Sequence, residues 1–282
     1  MPVDREIAIL EKPLSPWAWA RMVFVSALGW TTFLVSTLVF STLTILVCLF
    51  DKTGCLAHAW CARVWARSVL FMVGVKLRVR GLENFDPGRA YILTANHLSL
   101  FDVLVLLAGL PIQFRWMAKK EVFAIPLMGW AMTRVGYVSI DRENKEKAWA
   151  HLYRAKGKLE EGYSLMFFPE GTRSPDGEMK RFKSGAFVLA LHAGVPVAPI
   201  SIVGTREIMP KKSVLFYPGT VDLVVSPPIE PEGFSLQRKE EYVQVVRGQI
   251  AIELEKIRLE RDDRRAAGDS GRPFAPRAPG RS

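Results

Sequence analysis

The chain has 282 residues, of which 49% are hydrophobic, and its 38 Lys and Arg against 28 Asp and Glu give a formal net charge of +10. This composition excludes a disordered polyelectrolyte, because the apolar residues are numerous enough to form a substantial core. The three cysteines all lie between Cys48 and Cys61, and such an odd set provides neither a disulfide framework nor a four-thiolate zinc site. We therefore expect one or two domains in a reducing compartment.

The first predicted element is the apolar run from Met22 to Phe50, which contains 29 consecutive residues without a charge. At about 1.5 Å per residue, a helix of this length exceeds the ~30 Å hydrocarbon core of a bilayer. A cleaved signal peptide fits poorly, because acidic residues precede the run and the run is longer than an h-region. We predict a membrane-associated helical segment over residues 1–75, which either spans the bilayer once or lies tilted in one leaflet.

The stretch from Leu56 to Val75 mixes aromatic and basic residues, as does a helix at the boundary between acyl chains and headgroups. A helix of the protein core is the alternative. Three cations precede the apolar run, whereas six follow it, namely Lys52, Arg63, Arg67, Lys76, Arg78 and Arg80. The positive-inside rule then predicts that the chain after Phe50 is cytoplasmic, at a bacterial-type inner or plasma membrane.

From residue 76 onward, short apolar runs alternate with longer helical ones. This pattern predicts an α/β domain over residues 76–260, with a central, mainly parallel or mixed sheet flanked by helices. The predicted strands are Val75–Arg80, Tyr91–Ala95, Phe114–Ala118, Val135–Ile140, Ser164–Phe168, Val197–Val203 and Val221–Val225. The predicted helices are Leu98–Leu110, Glu143–Glu161, about Ser184–His192 and a C-terminal helix that includes Val243–Ile257. Residues 261–282 are predicted to form a disordered basic tail.

A histidine and an aspartate five residues apart stand where a predicted strand becomes a helix. On a regular helix this spacing separates two side chains by about 140°, so His97 and Asp102 meet only if His97 lies before or at the helix start, with Asn96 as the N-cap. Asp102 then binds one ring nitrogen of His97 and leaves the other as a base. No G-x-S-x-G elbow is present and nothing marks Ser99 as an attacking group, so we expect a substrate hydroxyl as the nucleophile. The alternative is a capping histidine beside a solvated aspartate.

A second polar run, Phe168–Ser174, follows a strongly apolar predicted strand. Its charged residues Glu170 and Arg173 therefore emerge at the carboxyl edge of the sheet, where open α/β sheets usually bind ligands. The alternative is a polar turn held by a Glu170–Arg173 pair.

Four blocks of the sequence, taken in order, resemble those of the 1-acylglycerol-3-phosphate acyltransferase family, within the glycerolipid acyltransferase superfamily. The resemblance covers about residues 80–229, and the blocks are Asn96–Asp102 with its His-x₄-Asp spacing, Gly136–Arg142, Phe168–Ser174 and Val195–Ile200. The intervening segments Ala118–Glu121 and Pro126–Trp130 are also similar to the family. Ser139 is a departure, because many members carry an aromatic residue or proline there.

The resemblance implies transfer of a fatty acyl group from acyl-CoA or acyl carrier protein to the 2-hydroxyl of lysophosphatidate, giving phosphatidate. It implies that His97 and Asp102 are catalytic. The residues expected to bind or shape the site for the acceptor are Arg142, Glu170, Gly171, Thr172, Arg173, Lys119, Lys120 and Pro199. The arginines, with Lys119 or Lys120 as a helper, are suited to bind phosphate, because guanidinium groups form bidentate hydrogen bonds to it.

No metal or cofactor is expected besides the thioester co-substrate, because the four histidines lack a metal-ligand spacing. The expected partners are the lipid bilayer, lysophosphatidate, the acyl thioester and, as one donor, acyl carrier protein. Nucleic acid is not expected despite the positive charge, because no nucleic-acid-binding signature is present. The sequence leaves open another acceptor, such as glycerol 3-phosphate or a different lysophospholipid, and a non-catalytic membrane scaffold.

Overall fold

The computed structural model describes residues 15–140, 148–174, 177–210 and 213–267, and in residues 148–152 it describes the backbone alone. Its α-helices are α1 (Pro16–Phe50), α2 (Arg63–Val73), α3 (Phe101–Gly109), α4 (Lys120–Phe123), α5 (Met128–Arg134), α6 (Ala148–Glu160), α7 (Gly185–Ala193), α8 (Thr205–Ile208) and α9 (Lys239–Ala266). A π-helical segment, Ala57–Ala62, leads directly into α2, and a 3₁₀ turn spans Leu82–Asn84. The strands are β1 (Val75–Arg80), β2 (Ile92–Ala95), β3 (Phe114–Lys119), β4 (Val138–Ile140), β5 (Ser164–Phe167), β6 (Val197–Val203) and β7 (Gly219–Val225).

The strands form one seven-stranded sheet in the order β1-β7-β6-β2-β5-β3-β4. Every neighbouring pair is parallel except β6 and β7, which are antiparallel. The predicted α/β fold with a mixed central sheet is therefore confirmed. Strands β2 to β6 all run in one direction, so their carboxyl ends meet at a single edge. Residues that directly follow these strands are thereby brought together, however far apart they are in sequence.

Each face of the sheet is covered by a hydrophobic core, as expected for strands buried on both sides. In β2, Leu93 and Ala95 point to the first core, which also includes buried residues of α2 and α3. Ile92 points to the second core, which includes buried residues of α6, α7 and α9. Alternation along the strand thus places α2 and α3 on one face of the sheet and α6, α7 and α9 on the other.

Helix α1 packs along the first core through one face. Its buried residues recur at helical spacing and are Met22, Ser26, Gly29, Ser41, Thr44 and Cys48. Close approach requires the glycine, because a Cβ on Gly29 would lie 2.5 Å from the ring of Phe216. The indole of Trp30 donates to the carbonyl of Val214 at 2.7 Å. Within the part of the chain that the structure describes, α1 is the one helix long and apolar enough to cross a membrane.

Three predicted boundaries differ from the structure by three residues or more, and one of them is the start of α3, which is Phe101 and not Leu98. The strand expected over Val135–Ile140 begins only at Val138, because Val135 is the C-cap residue directly after α5 and Gly136 takes a left-handed φ of 86°. Helices α4 and α5 were not predicted. The C-terminal helix continues to Ala266, past the predicted start of the tail at residue 261, and residues 268–282 lie outside the described chain. The predicted division at residues 75 and 260 otherwise stays a prediction.

Candidate active site

His97 and Asp102 are in contact at the carboxyl end of β2. His97 lies in the loop between β2 and α3, and Asp102 is in the first turn of α3. The Nδ1 atom of His97 is 2.8 Å from Asp102 Oδ2, and the exposed fractions of the two side chains are 15% and 0%. Because the helix begins only at Phe101, the intervening loop turns back and brings the two side chains together despite their five-residue spacing.

The carboxylate of Asp102 accepts four hydrogen bonds. Besides His97, its Oδ2 atom accepts the backbone N–H groups of Leu98 at 2.7 Å and Ser99 at 2.9 Å. Its Oδ1 atom accepts the hydroxyl of Thr205, at the start of α8, at 2.5 Å. Asp102 is therefore fixed from two directions, by its own loop and by the residue that follows β6.

Asn96 does not cap α3, so that prediction is wrong. Its side-chain amide donates to the carbonyl of Ile202 at 2.9 Å, and its Oδ1 accepts the N–H of the same residue at 2.8 Å. These two hydrogen bonds extend the pairing of β2 with β6 past Ala95, the last residue of β2, and fix the backbone directly before His97. The N-cap position of α3 is Leu100, which makes no side-chain cap hydrogen bond.

The imidazole of His97 lies flat against the ring of Phe168. The two ring centroids are 3.9 Å apart and the rings are inclined by 12°. Phe168 is in turn stacked on Trp116 of β3, with a centroid distance of 5.6 Å. Stacking and the Asp102 contact fix both the plane of the imidazole and its rotation. The Nε2 atom has no hydrogen-bond partner among the described residues.

The loop after β5 is tied to His97 by two contacts. Glu170 is buried, and its Oε1 accepts the backbone N–H of His97 at 2.8 Å. Its Oε2 accepts the N–H of Lys180 at 3.1 Å. The N–H of Ser174 donates to the carbonyl of His97 at 2.9 Å. Burial raises the pKa of Glu170 above its ordinary value, although the two backbone hydrogen bonds partly offset this increase. Glu170 therefore joins the two loops of the site.

The remaining predicted residues of this loop surround that junction. Gly171 has a left-handed φ of 75°, and its position lies beside the Lys183 side chain. Thr172 is exposed and Arg173 is half-buried. A side chain larger than glycine at position 171 would be strained in φ, which explains the glycine between the buried carboxylate and the more accessible Thr172.

The other residues predicted to bind the acceptor lie at separate places, some at the edge of the sheet and one within it. Lys119 ends β3 and Lys120 begins α4, so both are exposed at the same edge as His97. Pro199 is buried within β6, in register with Thr94, three residues before His97 along β2. Pro199 therefore lies within the sheet and not at its carboxyl edge. Arg142 is outside the residues that the structure describes.

Comparison with known proteins identifies the family. Residues 76–203 match the family model described as Acyltransferase. The chain is 38% identical over 187 residues to the chloroplastic 1-acyl-sn-glycerol-3-phosphate acyltransferase LPAT1 of Arabidopsis thaliana, which covers 65% of this chain and 51% of that protein. It is 33% identical over 176 residues to the 1-acyl-sn-glycerol-3-phosphate acyltransferase of Pseudomonas aeruginosa, covering 62% of this chain and 66% of that protein.

The chain belongs to the 1-acyl-sn-glycerol-3-phosphate acyltransferase family. The crystal structure of the 1-acyl-sn-glycerophosphate acyltransferase PlsC from Thermotoga maritima superposes with a TM-score of 0.72 at 28% identity, and the match covers 85% of this chain and 97% of that one. The chain spans about half to two thirds of the length of the curated relatives it matches. The family predicted from the four sequence blocks is confirmed.

Three residues of the candidate site were missed in the sequence. Thr205 lies two residues after β6, Phe168 directly follows β5, and Trp116 lies within β3. Phe168 and Trp116 resemble ordinary core residues of a strand, and their role as a support for His97 depends on the strand order. The available signal for Thr205 was a polar residue close after the end of β6. The residues that follow the parallel strands β2 to β6 lie together at the carboxyl edge of the sheet.

Proposed function

We propose that the chain transfers a fatty acyl group from an acyl thioester to the 2-hydroxyl of lysophosphatidate, forming phosphatidate. The observation that carries this proposal is the contact between His97 and Asp102, which leaves Nε2 available beside the Glu170 loop. The names of the relatives from Arabidopsis and Pseudomonas support the choice of acceptor.

The nucleophile is the acceptor hydroxyl. Ser99 is the serine nearest to the dyad in sequence, but it is buried and its hydroxyl donates to the carbonyl of Met209 at 2.9 Å. A serine held in this way serves the local fold. A His–Asp pair without a protein nucleophile is suited to activate a hydroxyl of the substrate.

The reaction follows from this geometry. Asp102 accepts the Nδ1 hydrogen of His97 and so keeps Nε2 as the basic nitrogen. The acceptor hydroxyl gives its proton to Nε2 as its oxygen attacks the thioester carbonyl carbon. The new carbon–oxygen bond forms, the carbon–sulfur bond breaks and the electron pair leaves with sulfur as a thiolate. A thiolate leaves readily, so this chemistry requires neither a metal nor a cofactor besides the thioester. Acyl-CoA and acyl carrier protein are both suitable donors.

Basic residues at the sheet edge bind the phosphate in this proposal. Arg173 supplies a planar guanidinium within the loop that contacts His97, and Arg142 follows β4 in the sequence. Lys119 and Lys120 add positive charge after β3. Phosphate bound there and a hydroxyl at His97 would belong to one small glycerol headgroup, which favours a lysolipid with a terminal phosphate monoester.

The proposed location is the cytoplasmic face of a membrane. Helix α1 exposes apolar side chains along its outer face, including Leu34, Leu38 and Leu46. Its inner face is buried against the domain from Met22 to Cys48, 26 positions that span about 39 Å of helix. This long contact favours α1 lying along the domain in one leaflet over a helix that leaves the domain to cross the bilayer.

The test is acyl transfer by the purified full-length protein in detergent. One acyl-CoA and one acyl carrier protein thioester are each supplied with lysophosphatidate, glycerol 3-phosphate and lysophosphatidylcholine, and the product is identified by mass. We expect phosphatidate, with turnover lowered by roughly 10²-fold or more in His97→Ala and in Asp102→Ala while both variants remain folded. Near-normal turnover in His97→Ala would refute the mechanism, and a product from another acceptor alone would refute the substrate.

A further inference from the structure

The hairpin of α4 and α5, residues 120–134, exposes large apolar side chains that the acyl-transfer chemistry does not use. Ile125, in the turn between the helices, is 47% exposed, and Trp130 of α5 is 64% exposed. Pro126 and Ala124 beside them are also exposed. A single exposed apolar residue is ordinary, but several in one short hairpin mark a surface that contacts a membrane or another protein.

These side chains are held outward by a rigid backbone. Gly129 permits a close approach, because a Cβ at that position would lie 1.9 Å from the carbonyl oxygen of Phe123. Leu127 adopts a φ of 61° and is the one non-glycine residue with positive φ in the described chain. The hydroxyl of Thr133 donates to the carbonyl of Gly129 at 2.8 Å. Ile125 and Trp130 are therefore exposed on a turn of defined conformation. The contacts of that turn maintain the strained backbone angle φ of Leu127.

The buried side of the hairpin packs against α1. Ala131 and Met132 are buried, and α5 packs against α1. Val135, directly after α5, forms a small core with Cys48 at the end of α1 and with Ala57. The hairpin thus lies beside the helix that presents the apolar outer face, and it begins where β3 reaches the edge that carries His97.

Cations flank the exposed apolar residues. Lys119 and Lys120 precede the turn and Arg134 follows Trp130, whereas Glu121 is the acidic residue of the hairpin. All four of these charged residues are exposed. An apolar centre with an aromatic ring and a net positive rim is the composition of a surface that enters the boundary between acyl chains and anionic headgroups.

We propose that the α4–α5 hairpin is a second membrane contact, which inserts Ile125 and Trp130 into an anionic bilayer beside the site. This inference rests on the proposed membrane location and deepens it. Trp60 and Phe71, in the segment between α1 and β1, are also exposed and belong with α1 to the membrane-associated segment. A contact from the sheet domain itself, displaced toward the carboxyl edge of the sheet, would hold the edge with His97 at the level of the headgroups, where a lysolipid presents its hydroxyl.

The experiment places an environment-sensitive fluorophore at single cysteines of the full-length protein. In a Cys55→Ser background, in which Cys48 and Cys61 are buried, NBD is attached at Trp130→Cys, at Val39→Cys on the outer face of α1, or at Leu259→Cys on α9. Leu259 is 57% exposed and its helix covers the opposite face of the sheet, so it is the matched control. Ile125→Cys is a second reporter of the hairpin in case Trp130→Cys folds poorly.

Each labelled protein is reconstituted into phosphatidylcholine vesicles that contain phosphatidylglycerol, with or without brominated acyl chains. We expect blue-shifted emission and bromolipid quenching at positions 130 and 125, at least about half of the quenching at position 39, and emission typical of water at position 259. Vesicles without phosphatidylglycerol should reduce quenching at position 130 more than at position 39, because only the hairpin depends on its cationic rim.

The outcomes separate the two proposals. Quenching at position 39 with water-like emission at positions 130 and 125 would overturn the hairpin contact and leave the membrane location standing. Absence of quenching at all four positions would overturn the membrane location itself. Blue-shifted emission at position 130 without bromolipid quenching would mean that protein covers the hairpin, as in an association of two copies, and would also overturn the proposal.

Discussion

Thr205 donates its hydroxyl to Asp102 Oδ1 at 2.5 Å, across 103 residues of sequence. The opposite oxygen of the same carboxylate is the one that contacts His97. Thr205 begins α8, with Gly204 alone between it and the end of β6 at Val203, whereas Asp102 belongs to the first turn of the helix after β2. The orientation of the histidine therefore depends on the pairing of β2 with β6, and not only on the His-x₄-Asp segment.

Replacing Thr205 by valine tests this dependence. The substitution keeps the volume but removes one of four donors to a buried carboxylate, which we expect to cost about 1–3 kcal/mol in positioning, or roughly 5- to 150-fold in kcat/KM. Thr205→Ser should restore most of the activity. Thr31→Val, which removes a hydroxyl bond within α1, is the control. Unchanged kinetics in Thr205→Val would contradict the role.

The proposed phosphate contacts of Arg142 and Arg173 can be tested separately from the acyl-transfer chemistry. Arg142→Ala and Arg173→Ala should each raise the KM for lysophosphatidate, and kcat should also fall if the arginine aligns the hydroxyl. Lysine at either position should recover only part of the activity, because it lacks the bidentate fork. Residual use of a lysolipid without a terminal phosphate monoester should be much less affected. Arg154→Ala, on the exposed surface of α6, serves as the control.

A structural role of these arginines predicts a different result. If they only stabilise their loops, both acceptors should lose kcat/KM equally and the melting temperature should fall with them. Measuring kcat/KM for the two acceptors beside the melting temperature of each variant therefore distinguishes the two roles.

The parts of the structure that follow local rules could be predicted from the sequence. Apolar runs such as Val197–Val203 match a strand to the residue, because a strand buried on both faces requires continuous apolar side chains. The end of the helix before β5, predicted at Glu161 and found at Glu160, and the edge position of Glu170 follow from local signals, which are Gly162 after the helix and the apolar strand before Glu170.

What could not be predicted depends on contacts distant in sequence. Asn96 has the residue type of an N-cap, yet its amide is used by Ile202, more than a hundred residues away. The α4–α5 hairpin escaped prediction because it is too short for helical periodicity and depends on the close approach of Gly129 to Phe123. Phe168 was visible as an aromatic residue, but only the order of β2, β5 and β3 shows that it supports His97.

Stability should fall in mild acid because of His58. Its Nδ1 is 3.0 Å from the hydroxyl of Tyr137, and burial together with the charges of Arg115 and Arg63 lowers the pKa of His58 to about 3. The folded protein therefore holds this imidazole neutral where the unfolded chain binds a proton. Stability from this group is complete above about pH 6.5 and is lost as pH falls toward 3, by about 1.4 kcal/mol per unit.

The measurement is the melting temperature in detergent at several values between about pH 4 and pH 7, compared between the parent protein and His58→Asn. Asparagine keeps a polar group for Tyr137 but does not titrate. The variant should therefore show a shallower decrease toward acid. Parallel curves for the two proteins would contradict the assignment to His58.

Deleting residues 1–75 should abolish folding and not merely release the domain from membranes. The deletion removes α2, whose residues Ala66, Val69, Leu70 and Val73 are buried in the first core. We expect an insoluble product, because the exposed core of α3 and the sheet would aggregate. A soluble, monodisperse and active truncation would show that the first core does not require α2.

A milder change should separate membrane binding from folding. The triple variant Val35→Ser, Val39→Ser and Leu46→Ser alters only side chains on the exposed face of α1. Its melting temperature in detergent should remain close to that of the parent, while a larger fraction should stay in the supernatant after sedimentation with vesicles. An unchanged membrane fraction would show that another surface provides most of the binding.

The pairing of β1 with β7 has a consequence for the order of events during synthesis. Val75 lies opposite Gly219, so the strand that follows the apolar helices has no neighbour until 144 more residues have been made. At about 5–20 residues per second, this interval lasts roughly 7 to 30 s. For that time α1 and α2 lack the completed sheet, although α3, which packs against α2, is made earlier. If the proposed membrane location is right, we expect them to contact the bilayer before the sheet is complete, so that the domain finishes folding while it is already held at the lipid surface.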